Sequence, residues 1–228
     1  MRRRSGGGLD WYEVDLPGAT VCFTTRRGGV SGAPYDSLNL GALTADERES
    51  VLENRVRASQ ALGIDGDRIR LGLQVHGSKI LLHDDPAGRG HYLALAPDPP
   101  EADGHLTRTA GIPLLVVVAD CLPVAISGPD GLAMLHCGWR GLAGTLVRDA
   151  VELVGGGTAF IGPGIGPCCF EVGAEVRDAF AGLGDGIFDG RMCDLPEVAR
   201  RLLRGSGVEQ VEMAGICTSC NEAEFFSH

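Results

Sequence analysis

The chain has 228 residues, enough to bury one substantial core, and its 44% apolar and 22% charged residues fit a globular protein rather than a disordered one. Its formal net charge of -10 argues against a nucleic-acid partner, since binders of polyanions carry a basic face. The longest apolar run, 112–119, is stopped by Asp120 and falls far short of a bilayer span, so no membrane-spanning helix is expected.

The opening Met1-Arg-Arg-Arg-Ser-Gly-Gly-Gly8 looks like the basic start of a secretion signal. However, Leu9-Asp-Trp-Tyr-Glu-Val-Asp15 brings three acids where an unbroken apolar segment is required. The expectation is a cytoplasmic, monomeric protein with a flexible lead over 1–19 and one domain over 20–228. Without a signal, the eight cysteines are expected to be free thiols. Cys168 and Cys169 are adjacent, and Cys217 and Cys220 form a single C-x-x-C, a weak motif that packing or chance explains as well as zinc or redox chemistry does. Arg26 and Arg27 make the one local basic patch, suited to a small anion.

Residues 20–25 are apolar and β-branched and read as a first strand. They run into a long loop, 26–41, too rich in Gly, Pro, Asn and Ser for regular structure; long loops inside compact domains tend to be functional. Thr44 with Glu47 makes a capping-box pattern, opening a helix through Val51, Leu52, Val56 and Leu62 that Gly63 ends. Residues 71–75 and 79–82 read as strands flanking His76-Gly77, 83–100 as a surface loop, and 112–119 as a central strand buried on both faces. Two apolar runs, 124–127 and 132–135, joined by Gly128-Pro-Asp-Gly131, read as a β-hairpin. Helical spacing follows over 142–154, then a strand at 158–161, the glycine-rich Gly162-Pro-Gly-Ile-Gly-Pro-Cys-Cys169, helices near 172–181 and 196–203, and a strand near 208–214. This irregular alternation predicts an α/β or α+β layered sandwich rather than a regular doubly wound sheet.

The hairpin carries the chemistry. Cys121 precedes it and His136 follows it, so antiparallel pairing brings a thiol and an imidazole to one edge of the sheet. His76 also lies next to a strand-like run, and strand ends are where α/β proteins assemble sites. Taken singly, Cys121 also fits an ordinary buried cysteine, and His76 and His136 fit satisfied structural histidines. Together the three side chains suit a catalytic zinc, which keeps an open position beside three N/S ligands, but Cys121 with His136 also suits a thiol nucleophile.

Several motifs, taken in order, carry a family resemblance. They are Thr25-Arg-Arg-Gly-Gly-Val-Ser31, Ser37-Leu-Asn-Leu-Gly41, Asn54-Arg55, Gln74-Val-His-Gly77, Ala102-Asp-Gly104, Ala119-Asp-Cys-Leu-Pro123, His136-Cys-Gly-Trp-Arg-Gly141, Ile161-Gly-Pro-Gly-Ile-Gly166 and Phe225-Phe-Ser-His228. From about Thr20 onward the chain resembles the YfiH-type laccase-domain family. The resemblance implies an αββα-type layered fold, zinc held by His76, Cys121 and His136, and phosphorolysis of purine nucleosides: adenosine, inosine, guanosine and methylthioadenosine. It also implies adenosine deamination.

Phosphorolysis needs a phosphate site, and the arginine fork binds anionic oxygens in pairs. Arg26 is the first candidate, with Arg55 and Arg140 behind it. Asn39 is a candidate for contacting the nucleoside or for holding the loop. Asp120 is expected to orient His76 or His136 or to move a proton, and Asp103 has the same two options. Cys137 stands where alanine is more usual in the family, and strand alternation points it away from the metal. The alternatives are a copper-dependent polyphenol oxidase at the same ligands, a metal-free Cys/His hydrolase, and a nucleoside-binding protein without turnover.

Overall fold

The computed structural model describes residues 1–94 and 99–228, so part of the surface loop expected over 83–100 lies outside the described residues. Residues 1–19 are not a flexible lead. Strands β1 (Arg2–Gly6) and β2 (Leu9–Leu16) form an antiparallel hairpin. Gly7 and Gly8 turn it at φ 58° and 82°, values that a two-residue hairpin loop requires and that glycine adopts freely. The arginines at the start of the chain face acids on the neighbouring strand: Arg2 and Arg4 pair with Glu13, and Arg3 with Asp10. Strand β3 (Ala19–Thr24) pairs with β2 and completes a three-stranded sheet.

The helix expected after the long loop is α1 (Arg48–Ala61), but the capping box does not form. The Thr44 hydroxyl instead donates to the Gly41 carbonyl and accepts from Asn39, and Glu47 caps nothing with its side chain. Strands β4 (Ile80–Leu82), β5 (Gly104–Thr107), β6 (Leu122–Gly128) and β7 (Gly131–Cys137) follow. The expected helix over 142–154 is two pieces, α2 (Trp139–Ala143) and α3 (Leu146–Val154). They part at Gly144 and Thr145, where the Thr145 N–H donates to the Ser78 hydroxyl and a Cβ on Gly144 would strike it. Next come β8 (Gly157–Ile161), α4 (Ala174–Phe180), the short ladder of β9 (Phe188–Asp189) and β10 (Met192–Cys193), α5 (Leu195–Gly205) and β11 (Val208–Met213).

Six of these strands form one mixed sheet in the order β11-β8-β6-β7-β5-β4. The hairpin β6–β7 occupies its middle, and alternation along β6 builds both faces. Val124 and Ile126 join Leu146, Val151, Val198 and Leu203 of the helical layer, whereas Ala125 and Phe160 meet Val14, Leu16 and Phe23 of the three-stranded sheet. Helix α1 covers that smaller sheet through Ala58 against Leu9 and Leu38. The result is the layered αββα-type α/β sandwich anticipated from the sequence.

The run 112–119 is not the central strand. It makes a single bridge, Leu114 to Arg70. The Gln74 amide takes the place of a strand partner, donating to the Val117 carbonyl at 2.7 Å and accepting from its N–H at 2.8 Å. The apolar side chains of the run, with those of β3, line a cavity of about 630 Å³, so the sequence pattern marks a cavity wall rather than two-sided burial. Residues 71–75 likewise make one bridge, Leu73 to Glu101, instead of a strand. Among the described residues no helix is long and apolar enough to cross a membrane.

Helix α5 supplies a test of this architecture. Asp194 caps it by accepting the Glu197 N–H at 2.9 Å, and Glu197 accepts from Arg200 at 2.6 Å and Arg201 at 2.8 Å. The Arg200 bonds above all bring the Glu197 carboxyl down to about 2, below its unfolded range. Its stabilisation is therefore complete above pH ~5 and is lost as pH falls toward the folded value. Glu197→Gln should lower stability by about 1 kcal/mol near neutral pH, since both arginines are partly solvated. In urea melts, the gap between variant and parent should close on acidification; a gap independent of pH would refute this account.

Candidate metal centre

In the β6–β7 register, Leu122 lies opposite Cys137 and Pro123 opposite His136, so Cys121 and His136 leave the sheet at one edge. His76 arrives on the loop before β4. The ligand atoms of His76, Cys121 and His136 all lie within 4.8 Å of one another. The two imidazoles are 4.9 Å apart between centroids and inclined at 70°, so both rings turn toward the thiol without stacking.

Asp103, at the entry to β5, sets this geometry. Its carboxylate is fully buried and accepts His136 Nδ1 at 2.7 Å, which leaves Nε2 free to ligate. The same carboxylate accepts the main-chain N–H groups of Val75, His76 and Gly77 at 3.2, 2.9 and 2.8 Å. One side chain therefore fixes one imidazole directly and the other through its backbone. His76 and Asp120 are the non-glycine residues with positive φ among the described residues, at 59° and 77°. Both flank the centre, and such backbone is retained only where its surroundings hold it.

Gly138 leaves room for the ligands. A Cβ there would come within 2.9 Å of His76 Cδ2 and 3.0 Å of Cys121 Sγ. Burial, reinforced by the charges of Asp120 and Asp103, pushes the Cys121 thiol up to about 11. Burial also lowers the His136 pKa, against the opposing pull of the Asp103 hydrogen bond, and so favours the neutral imidazole that binds metals.

The other residues singled out in the sequence divide sharply. Asp120 orients neither imidazole. Its carboxylate accepts from Thr218 Oγ1 at 2.6 Å, Ser227 Oγ at 2.8 Å and the His228 N–H at 2.8 Å, tying the last segment of the chain beside Cys121. Arg26 donates to the carbonyls of Asp36 and Glu222 and lies over the Phe226 ring. Arg55, 2% exposed, is bound to the carbonyls of Leu40 and Tyr92 and is a loop tether rather than an anion site. Asn39 donates to Thr44 and Asp46 and accepts the Gly41 N–H, so its amide serves the loop. Arg140 is different: exposed on α2 two residues after Gly138, it rests over Trp139 at 4.5 Å and has no carboxylate partner among the described residues. Cys137 is buried in the core opposite Leu122, as strand alternation requires. The 630 Å³ cavity reaches Ala119, but none of the three ligands lines it, so its size does not make it the reaction site.

Residues 20–228 match the family model described as multi-copper polyphenol oxidoreductase laccase. The chain belongs to this laccase-domain family. It is 37% identical over 225 residues to the purine nucleoside phosphorylase YfiH of Escherichia coli (strain K12), covering 92% of this chain and 88% of that one. It is 36% identical over 236 residues to the purine nucleoside phosphorylase PA4543 of Pseudomonas aeruginosa, covering 96% and 92%. The crystal structure of YlmD from Geobacillus stearothermophilus superposes on the whole chain and 92% of its own with a TM-score of 0.90 at 31% identity. The layered fold is that of the laccase-domain family.

Two imidazoles and one thiol, one imidazole fixed by a buried carboxylate and the pocket kept clear by a glycine, form a donor set suited to a thiophilic transition metal. Gly138 was readable in the family motif Gly138-Trp-Arg-Gly141, but its steric role appears only when His76 is brought beside it. Gly138→Ala should weaken metal binding at this centre by at least about tenfold while leaving the far-ultraviolet circular dichroism unchanged. Chelator competition measures the affinity, and parental affinity in the variant would disprove the steric role.

Proposed function

We propose that the chain is a zinc-dependent purine nucleoside phosphorylase acting on adenosine, inosine, guanosine and methylthioadenosine, with adenosine deaminase activity at the same centre. The observation that carries this reading is the convergence of His76, Cys121 and His136 around a common point, held by Asp103, in a family whose named relatives are purine nucleoside phosphorylases. Among the described acids, cysteines and histidines no fourth ligand joins the group. When bound, zinc supplies Lewis acidity at the open position.

In phosphorolysis a phosphate oxygen bonds to C1′ of the ribose, the bond from C1′ to the purine nitrogen breaks, and the departing base takes that electron pair and a proton. Arg140 is the group we assign to phosphate, because its guanidinium is exposed, uncommitted to a carboxylate and carried on the segment that walls the ligands. The stack on Trp139 presets the fork, so less freedom is lost on binding. Asp103 keeps His136 in one tautomer throughout.

Copper at these ligands is the alternative that the family description suggests, but a multicopper cluster needs more histidines than this chain provides. It has six in all, and His83 and His105 are bound to each other at 3.0 Å. A metal-free hydrolase would need a thiolate, whereas burial holds Cys121 protonated near neutral pH.

Incubation with adenosine should give adenine and ribose 1-phosphate when phosphate is present, and inosine with ammonia when it is absent. His76→Ala and Cys121→Ala should abolish both, and turnover surviving in these variants would overturn the assignment. Arg140→Ala should raise the KM for phosphate by about tenfold or more, the cost of losing a charge-assisted contact, with deamination unaffected. An unchanged KM would remove Arg140 from the phosphate site.

A further inference from the structure

A second group of soft ligands gathers away from the hairpin edge. Strands β8 and β11 run parallel, and the bridge from Gly164 to Cys217 extends their pairing past the strand ends. The Gly164 N–H donates to the Ile216 carbonyl and the Thr218 N–H to the Gly164 carbonyl. Two loops are thereby held side by side, one carrying Cys168 and Cys169 and the other Cys217 and Cys220. The four sulfurs all lie within 4.8 Å of one another, with Cys220 at 3.3 Å from Cys168 and 3.4 Å from Cys169. All four are free thiols, well beyond the ~2.05 Å of a disulfide.

These separations are close to those of a coordination shell. Four sulfurs around zinc at ~2.3 Å form a tetrahedron with edges of about 3.8 Å; the Cys220 separations of 3.3 and 3.4 Å fall a few tenths of an ångström short of it, and the whole group stays within 4.8 Å. The surrounding main chain is suited to charged sulfur. The Gly166 N–H donates to Cys217 Sγ at 3.3 Å, and the absent side chain of Gly166 leaves room, since a Cβ there would come within 3.2 Å of Cys217 Cβ and 3.5 Å of Cys168 Sγ. Cys168 and Cys220 are exposed, so an ion can enter from solvent.

We propose that Cys168, Cys169, Cys217 and Cys220 form a second metal site, a closed four-thiolate site for zinc with a structural role. Binding displaces the thiol protons to solvent and leaves no open position for substrate. Its structural consequence follows from Thr218, Ser227 and the His228 N–H, all of which grip Asp120 beside Cys121. Clamping the loop that carries Cys217 and Cys220 to the one after β8 steadies this strap along the first centre.

The test uses the full chain purified under reductant without added metal, with zinc and protein counted together. The parent should carry two zinc ions per chain, the His76→Ala/His136→Ala variant one, and the Cys168→Ser/Cys220→Ser variant one. Cobalt loaded into the His76→Ala/His136→Ala variant should give the intense visible bands and near-ultraviolet thiolate charge transfer of a tetrahedral four-sulfur set. If the cysteine variant fails to fold, alkylation of the parent decides. The four thiols should resist iodoacetamide until a chelator is added, with mass mapping to locate them. Complete loss of zinc in the histidine variant, alkylation indifferent to chelator, or a Cys168–Cys220 disulfide under reductant would overturn the site. Because the histidine variant removes the first centre, these outcomes do not depend on the nucleoside reading.

Discussion

The centre depends on one buried carboxylate. Asp103 is fully removed from solvent and pairs with no arginine or lysine among the described residues; its charge is met by His136 Nδ1 and three consecutive main-chain N–H groups. A carboxylate in that position is tolerable only while the donors stay, and removing one partner of a buried charge typically costs about 3–5 kcal/mol. The dependence also runs the other way. Without Asp103, the three main-chain N–H groups of the 75–77 turn would lose their shared acceptor, and His76 would lose the contacts that hold it at positive φ. The same carboxylate thus links the turn before β4 to the orientation of both imidazoles.

Asp120, the chain neighbour of Cys121, is a second carboxylate with a fixed set of donors. It too has positive φ, and its carboxylate gathers Thr218, Ser227 and the His228 main chain. The two aspartates give the thiol an anionic setting, which disfavours a free thiolate and suits a cation in contact with the sulfur.

Much of the architecture was legible in local pattern. The β6–β7 hairpin, α1, α5, β8 and β11 follow from turn chemistry and periodicity, and the edge placement of Cys121 and His136 follows from antiparallel pairing. What failed had specific causes. The 112–119 run has the composition of a two-sided strand, but a Gln74 side chain replaces its neighbour and a cavity lies against it. The first hairpin was masked by an arginine run whose purpose is cross-strand pairing, although Gly7-Gly8 is an ordinary hairpin signal. Asp103 and Asp120 were both visible as acids near motifs and were given the same options, because which imidazole a carboxylate reaches is a long-range property that only the fold decides in favour of Asp103. The four cysteines show the same limit: neither Cys168-Cys169 nor Cys217-x-x-Cys220 carries a signal until parallel pairing of β8 and β11 juxtaposes them.

The arginines show how an acidic chain can still offer an anion site. Most of the guanidiniums near the long first loop act as internal cross-links: Arg55 to two carbonyls inside the fold, Arg26 and Arg27 to the 222–223 backbone. A guanidinium whose donors already meet carbonyls must break those bonds to receive phosphate, and the exchange gains little. Arg140 faces no such exchange, since an aromatic ring supports its plane without consuming a donor. The protein's net negative charge further raises the value of a cation that is not neutralised. Availability of donors, rather than the number of arginines in a loop, therefore distinguishes these arginines, and Arg140, on the segment beside the candidate metal centre, is the one with donors to spare.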